Sequence, residues 1–71
     1  MKSGYLSFNS EVNRIHVSFW DSDKYDLYCG VTFGALIDGR WMPTRIEFSS
    51  DWYLVDLFES GNIPVELKVR M

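Results

Sequence analysis

The chain has 71 residues, a formal net charge of −3 and an isoelectric point near 4.8. This length is enough for one small domain, and an aromatic content of 17% supplies large rings for its core. The seven basic residues are scattered along the sequence, whereas proteins that bind duplex nucleic acid usually carry a basic patch. We therefore expect no binding to duplex nucleic acid, and homodimerisation that completes the small core stays open.

The sequence contains a single cysteine, Cys29, and a single histidine, His16. One cysteine can form neither an intramolecular disulfide nor a zinc site built on cysteines. The N-terminal residues lack the apolar stretch of a signal peptide, and no window approaches 18 apolar residues. We predict a cytoplasmic protein that has no cofactor and does not associate with membranes.

Short apolar or alternating stretches, separated by turn-forming clusters, predict an all-β fold. In residues 14–20 the alternation places Ile15, Val17 and Phe19 on one face of a strand. Residues 56–62 have room for one helical turn. The predicted strands are residues 5–8, 14–20, 25–28, 31–37, 40–48, 52–55 and 65–69, and the predicted core residues are Ile15, Val17, Phe19, Ile46, Leu54 and Leu67.

The dipeptide Asp38-Gly39 lies between two apolar stretches and is the strongest local signal in the chain. Asp-Gly favours a type I′ turn, whose twist matches that of the strands it joins. We therefore predict a hairpin that pairs residues 35–37 with 40–42. The returning strand contains Pro43, which cannot donate a ladder hydrogen bond, so this strand is predicted to be kinked or to lie at an edge there.

These elements predict a single domain over residues 1–71, built as a small twisted antiparallel β-barrel or roll of five to seven short strands. An SH3-like barrel is our first choice. An OB-like Greek-key barrel would be tight at this length.

Three motifs follow one another between Gly30 and Val55: Ile-Asp-Gly-Arg-Trp at 37–41, Arg-Ile-Glu at 45–47 and Trp-Tyr-Leu at 52–54. Together with an initial Gly-Tyr-Leu at 4–6, they resemble a family of small uncharacterised proteins from Gram-positive bacteria and their mobile elements. The family commonly has Gly-Asp where this chain has Gly-Val at 30–31. The resemblance implies the β architecture and a bacterial, phage or plasmid origin, and it implies no catalytic residue.

The candidate chemical sites do not satisfy the requirements of known sites. The acidic residues Asp21, Asp23 and Asp26 suggest a calcium loop, but an EF-hand loop that starts at Asp21 needs Gly at its sixth position and Glu at its twelfth. His16 and Cys29 have no nucleophile motif nearby, so we expect an exposed strand histidine and a small buried thiol. We predict that the protein is not an enzyme.

The best candidate binding surface consists of Trp41, Arg45 and Glu47, which share one face of the predicted fifth strand, together with Trp52 and Tyr53 from the next strand. Aromatic residues and Arg are enriched in interaction hot spots. The structural alternative is a salt bridge lying over a Trp that closes the end of the barrel.

Three functional hypotheses follow. The first is a non-enzymatic module that binds a protein partner through this face or an edge strand. The second is a mobile-element inhibitor of host nucleic-acid machinery, an anti-CRISPR or nuclease inhibitor, whose acidic residues mimic phosphates. The proposed phosphate mimics are Asp21, Asp23, Asp26, Asp51, Asp56 and Glu59. The third is a single-strand nucleic-acid binder that stacks bases on aromatic rings. An apolar patch favours the first, a clustered acidic surface the second, and a basic groove beside an exposed Trp the third.

Overall fold

Seven antiparallel strands form one sheet in the computed structural model, which describes residues 2–64 and 66–71. The strands are β1 (Ser3–Asn9), β2 (Arg14–Phe19), β3 (Lys24–Asp26), β4 (Thr32–Ile37), β5 (Arg40–Ser49), β6 (Asp51–Leu54) and β7 (Lys68–Arg70). The mostly β antiparallel fold is therefore confirmed. In the described part of the chain, no helix is long and apolar enough to cross a membrane.

The β4–β5 hairpin has the predicted turn and register. Asp38 and Gly39 both have positive φ, at 49° and 79°, as a type I′ turn requires. Ile37 is paired with Arg40, and Ala35 with Met42. β6 pairs only with Ile46–Ser49, so β5 has one neighbour around Pro43 and forms a local edge there, as its missing N–H suggests.

The strand order is β3-β2-β1-β7-β4-β5-β6, so the last strand lies in the middle of the sheet. β7 pairs with β1 on one side and with β4 on the other, and it joins the β1–β2 hairpin to the β4–β5 hairpin. The C-terminal segment therefore holds the two halves of the sheet together.

The predicted closure into a barrel is not observed, because β3 and β6 remain the two edges of the sheet. The outer side of β6 is covered by the segment that follows it: the N–H of Leu54 donates to the carbonyl oxygen of Phe58, and the N–H of Gly61 donates to that of Trp52. β3 has only three residues, all exposed. The sheet nevertheless curls, since the indole Nε1–H of Trp52 donates to the backbone oxygen of Asn13 beyond β1, 3.1 Å away.

One apolar core occupies the concave side of the curled sheet. Five of the six predicted core residues are buried there, and Phe19 is partly buried against them. Thr44 is a buried polar residue, and its hydroxyl donates to the backbone oxygen of Val55 at 2.9 Å. Six further buried residues complete the core and were not predicted from the sequence: Leu6, Leu27, Phe33, Ala35, Trp52 and Val69.

Three local predictions differ from the structure. The strand expected at 25–28 is shifted to β3, and Leu27 beyond it is buried. Residues 56–62 form turns rather than a helical turn. The strand expected at 65–69 is observed as β7; Val65 lies outside the described residues, and Glu66 has a φ of 60°, which does not fit an extended strand.

Candidate functional site

The convex side of the sheet, here called the outer face, carries four of the five predicted binding residues. Strand alternation places Trp41, Arg45 and Glu47 on the face of β5 opposite the buried Thr44 and Ile46. Tyr53 of β6 is paired with Glu47 and therefore lies on the same face. The structure thus places these four residues on one face, but Trp41 lies six residues from Glu47 along β5, or about 20 Å.

Arg45 and Glu47 form an ion pair within β5. The guanidinium Nε lies 2.7 Å from the carboxylate Oε2, with half of the Arg45 side chain exposed to solvent. Because each charge already has a partner, this pair is a weaker binding site than two free charges would be.

Trp52 is separated from the other four residues. It is paired with Phe48 on the concave side and is only 6% exposed, and the rings of Phe48 and Trp52 meet edge to face at 5.1 Å. Its indole belongs to the core, and the edge of the ring lines a cleft between the β1–β2 hairpin and β6.

A second group of side chains on the outer face combines Trp41 with residues of β1, β7 and the turn after β2, which no local sequence pattern brings together. Tyr5 of β1 lies 5.7 Å from Trp20, measured between ring centroids, and the ammonium of Lys68 lies 6.0 Å from the Trp20 ring. The guanidinium of Arg70 lies 4.3 Å from the ring of Trp41. We call these five residues the aromatic–basic patch. The rings alternate with cations across the sheet because β7 is inserted between β1 and β4.

The outer face is more basic than the acidic chain as a whole. Strand alternation places five of the seven basic residues on it, whereas the acidic strand residues of this face lie in β3 and β5. Asp51 of β6 lines an opening on the concave side. The three central strands β1, β7 and β4 contain no acidic residue. The five basic residues are Arg14, Lys24, Arg45, Lys68 and Arg70.

A shallow depression of about 360 Å³ adjoins the patch beside Trp20. Tyr5, Trp20 and Lys24 line it, together with Asp23 and neighbouring residues. The carboxylate of Asp23 is engaged by the ammonium of Lys2 at 2.9 Å. The depression therefore presents aromatic and cationic groups to solvent.

Lys2 also contacts Asp21 at 2.9 Å, so one ammonium joins two carboxylates of the β2–β3 turn. The hydrogen bond to Asp21 is the main cause that raises the pKa of Lys2, and the same bond lowers the pKa of Asp21. Two of the acids proposed as phosphate mimics are thus paired with a cation, which reduces the negative charge available at this turn.

An apolar cleft of about 260 Å³ opens on the concave side, in the gap that the unclosed sheet leaves. One wall comes from the β1–β2 hairpin and the other from β6 and the segment that follows it. Asp51 is the one ionisable residue of the lining. The apolar lining residues are Leu6, Phe8, Ile15, Trp52, Ile63 and Pro64.

The two candidate reactive residues have different environments. His16 is half-buried on the outer side of β2. Cys29 is exposed, so the prediction of a buried thiol was wrong. It lies in the turn after β3, next to Gly30 with a φ of 93°, and the chain buries Leu27 instead.

Comparison with known proteins supports the fold. The family model described as DUF5348, a domain of unknown function, matches residues 4–71. A crystal structure of a protein from Ruminococcus gnavus superimposes with a TM-score of 0.84 at 37% sequence identity, covering 99% of this chain and 100% of that one. No curated protein matches the chain.

Proposed function

The chain belongs to the DUF5348 family, and we propose that it is a non-enzymatic module that binds a protein partner in the apolar cleft. The observation that carries this proposal is the cleft itself, an apolar opening between the β1–β2 hairpin and β6. Exposed apolar surface that lines a groove is typical of protein interaction sites.

The size of the cleft fits one anchoring side chain. Its volume of about 260 Å³ exceeds the roughly 150 Å³ of an apolar cavity that holds benzene. It is below the roughly 300–1,000 Å³ of most sites for cofactors and drug-sized ligands. A large apolar side chain inserted into a desolvated pocket is the usual centre of a protein interface.

The rim of the cleft indicates the chemistry of the partner. Phe8 is 56% exposed and Phe48, which packs on Trp52, is 45% exposed, so apolar surface extends beyond the opening. Asp51 adds one carboxylate to the lining. The complementary segment has an aromatic or large aliphatic anchor next to Lys or Arg.

The same lining supports a binding role rather than catalysis. General acid–base chemistry needs a titratable group positioned against a substrate and usually a second group that orients it. Asp51 has no second ionisable residue beside it in the cleft, and one of its carboxylate oxygens accepts the backbone N–H of Trp52 at 2.8 Å.

A peptide library tests this proposal. Random peptides displayed on phage are selected on the immobilised protein, and the recovered peptides are expected to share a large apolar residue beside Lys or Arg. Phe8→Ser should weaken binding of a recovered peptide by about 30-fold, the effect of losing a contact worth roughly 2 kcal/mol.

The matched control is Met42→Ser. Met42 is also a partly exposed apolar residue, but it lies six residues from Phe48 along β5, or about 20 Å. This variant should bind the peptides like the original protein. Equal affinity of the Phe8→Ser variant, or the absence of any selected peptide, contradicts the proposal.

Several finer predictions stay open. Trp41, Arg45, Glu47 and Tyr53 remain predicted binding residues on the outer face. An SH3-like relationship, a mobile-element origin, a cytoplasmic location and a homodimer also remain predictions. The 37% identity to the Ruminococcus gnavus protein supports a bacterial origin and the small β fold.

A further inference from the structure

We propose that the aromatic–basic patch on the outer face is a second site, which binds single-stranded nucleic acid. This inference does not depend on the apolar cleft, because the patch lies on the opposite side of the sheet. It is carried by the juxtaposition of Tyr5 and Trp20 with Lys68, and of Trp41 with Arg70.

The positive charge of the aromatic–basic patch favours a polyanionic ligand. Within residues 2–64 and 66–71 the ion pairs are those of Lys2 with two aspartates and of Arg45 with Glu47. Lys68 and Arg70 contact rings rather than carboxylates and keep their charge for a ligand. A cationic strip along the centre of an acidic protein is complementary to a phosphate backbone.

The exposed ring of Trp20 favours binding of single-stranded over duplex nucleic acid. Trp20 is 67% exposed, so much of its ring surface is open to a stacking partner. A base can stack on this ring only when it is not paired and stacked within a duplex. The depression beside Trp20, lined also by Tyr5 and Lys24, gives such a base a place to lie.

Trp41 lies on the other side of the patch, at a distance from Tyr5 that a single strand of several nucleotides can span. Tyr5 is paired with Lys68, and the register of β7 on β4 places Lys68 level with Leu36, which is paired with Trp41. Three strand spacings separate Tyr5 from Trp41, or about 14 Å. The backbone of the ligand crosses Lys68 and Arg70 between the two rings, and the Arg70 guanidinium over Trp41 offers a planar surface on which a base can stack.

Gly34 of β4 lies beneath the side chains of Arg70 and Trp41. A Cβ atom at Gly34 would lie 3.5 Å from Cγ of Arg70 and 3.7 Å from Cε3 of Trp41. Both distances are ordinary van der Waals contacts, so Arg70 and Trp41 lie directly over Gly34 on the outer face of β4.

The test is fluorescence anisotropy with a labelled oligothymidylate of about twelve nucleotides, a length within the usual site size of a small β domain. The original protein should bind it, and bind a duplex of equal length more weakly. Trp20→Ala should weaken binding roughly 5- to 150-fold, the range for losing one base–aromatic stack. Lys68→Gln and Arg70→Gln should each lower the dependence of log K on log salt by about 0.7.

Two variants serve as controls. Arg40→Gln removes an exposed charge at the β4–β5 turn, outside the patch, and should leave the salt dependence unchanged. Phe8→Ser alters the cleft and should bind the oligonucleotide normally, so failure of one site is distinguishable from failure of the other. Circular dichroism checks that Trp20→Ala stays folded. Absence of binding at low salt, or equal losses in Trp20→Ala and Arg40→Gln, would overturn the proposal.

Discussion

Gly4 shows how one residue controls the approach of two strands. It is paired with Phe19, and a Cβ atom at this position would collide with the backbone oxygen of Ser18 and lie 3.1 Å from Cα of Phe19. Both neighbours are backbone atoms of β2, so neither can rotate away. The β1–β2 pairing that supports Tyr5 and Trp20 on the outer face therefore requires glycine here.

Gly4→Ala is expected to lower the free energy of unfolding by about 1–3 kcal/mol, because the added methyl forces β1 and β2 apart. Urea denaturation followed by far-UV circular dichroism measures the change. Ser3→Ala alters the adjacent β1 residue without such a collision and should shift the midpoint little. If the two variants have the same midpoint, the close approach at Gly4 is not a constraint on the fold.

Among the strands, β7 is short but connects the two halves of the sheet. It has three residues, yet it is the only link by hydrogen bonds between β1 and β4 in the described sheet. Leu67 extends this link, because its backbone oxygen accepts the N–H of Leu6 at 2.9 Å while its side chain is buried in the core.

Leu67→Ala should therefore cost about 2–5 kcal/mol, the range for removing a buried leucine side chain. That is a large fraction of the stability of a small domain, so much of the variant is expected to be unfolded at room temperature. The matched control is Lys68→Ala, which removes an exposed side chain next to it and should change stability by about 0.5 kcal/mol at most. Equal thermal midpoints of the two variants would contradict a central role for this segment.

The elements that could be predicted from the sequence are those with local signals. Asp38 and Gly39 define their own turn, and the alternation around Val17 and Ile46 identifies the buried faces without knowledge of any neighbour. The insertion of β7 between β1 and β4 pairs Ser3 with Arg70, and no local pattern specifies so distant a partner. For the same reason Trp41, Arg45 and Glu47 could be placed on one face, whereas the approach of Arg70 to Trp41 could not be predicted.

At the scale of the whole molecule, strand twist explains why the sheet curls without closing. Neighbouring strands rotate by about 20–25°, so six steps from β3 to β6 accumulate roughly 120–150°. The two ends of the sheet therefore approach each other across the core, and the molecule measures 30 × 26 × 19 Å. The segment after β6 covers its edge, and the remaining gap is the apolar cleft.

The hydrogen bond from Trp52 to the backbone oxygen of Asn13 is the tie across this gap, since it joins β6 to the loop between β1 and β2. Trp52→Phe removes the donor and part of a buried ring, and it should lower the free energy of unfolding by roughly 1–3 kcal/mol.

Trp41→Phe is the matched control, because Trp41 packs on the outer face, where shortening the ring leaves the gap intact. Urea denaturation should be followed by circular dichroism, because both substitutions change tryptophan fluorescence.

Amide hydrogen exchange measures specifically what the hydrogen bond from Trp52 to Asn13 stabilises. In Trp52→Phe, exchange should accelerate in the β1–β2 loop and in residues 58–61 more than in β4 and β7, since the ends of the curled sheet separate first. Uniform acceleration throughout the sheet would show that Trp52 stabilises the core alone and that the two ends are held together by other contacts.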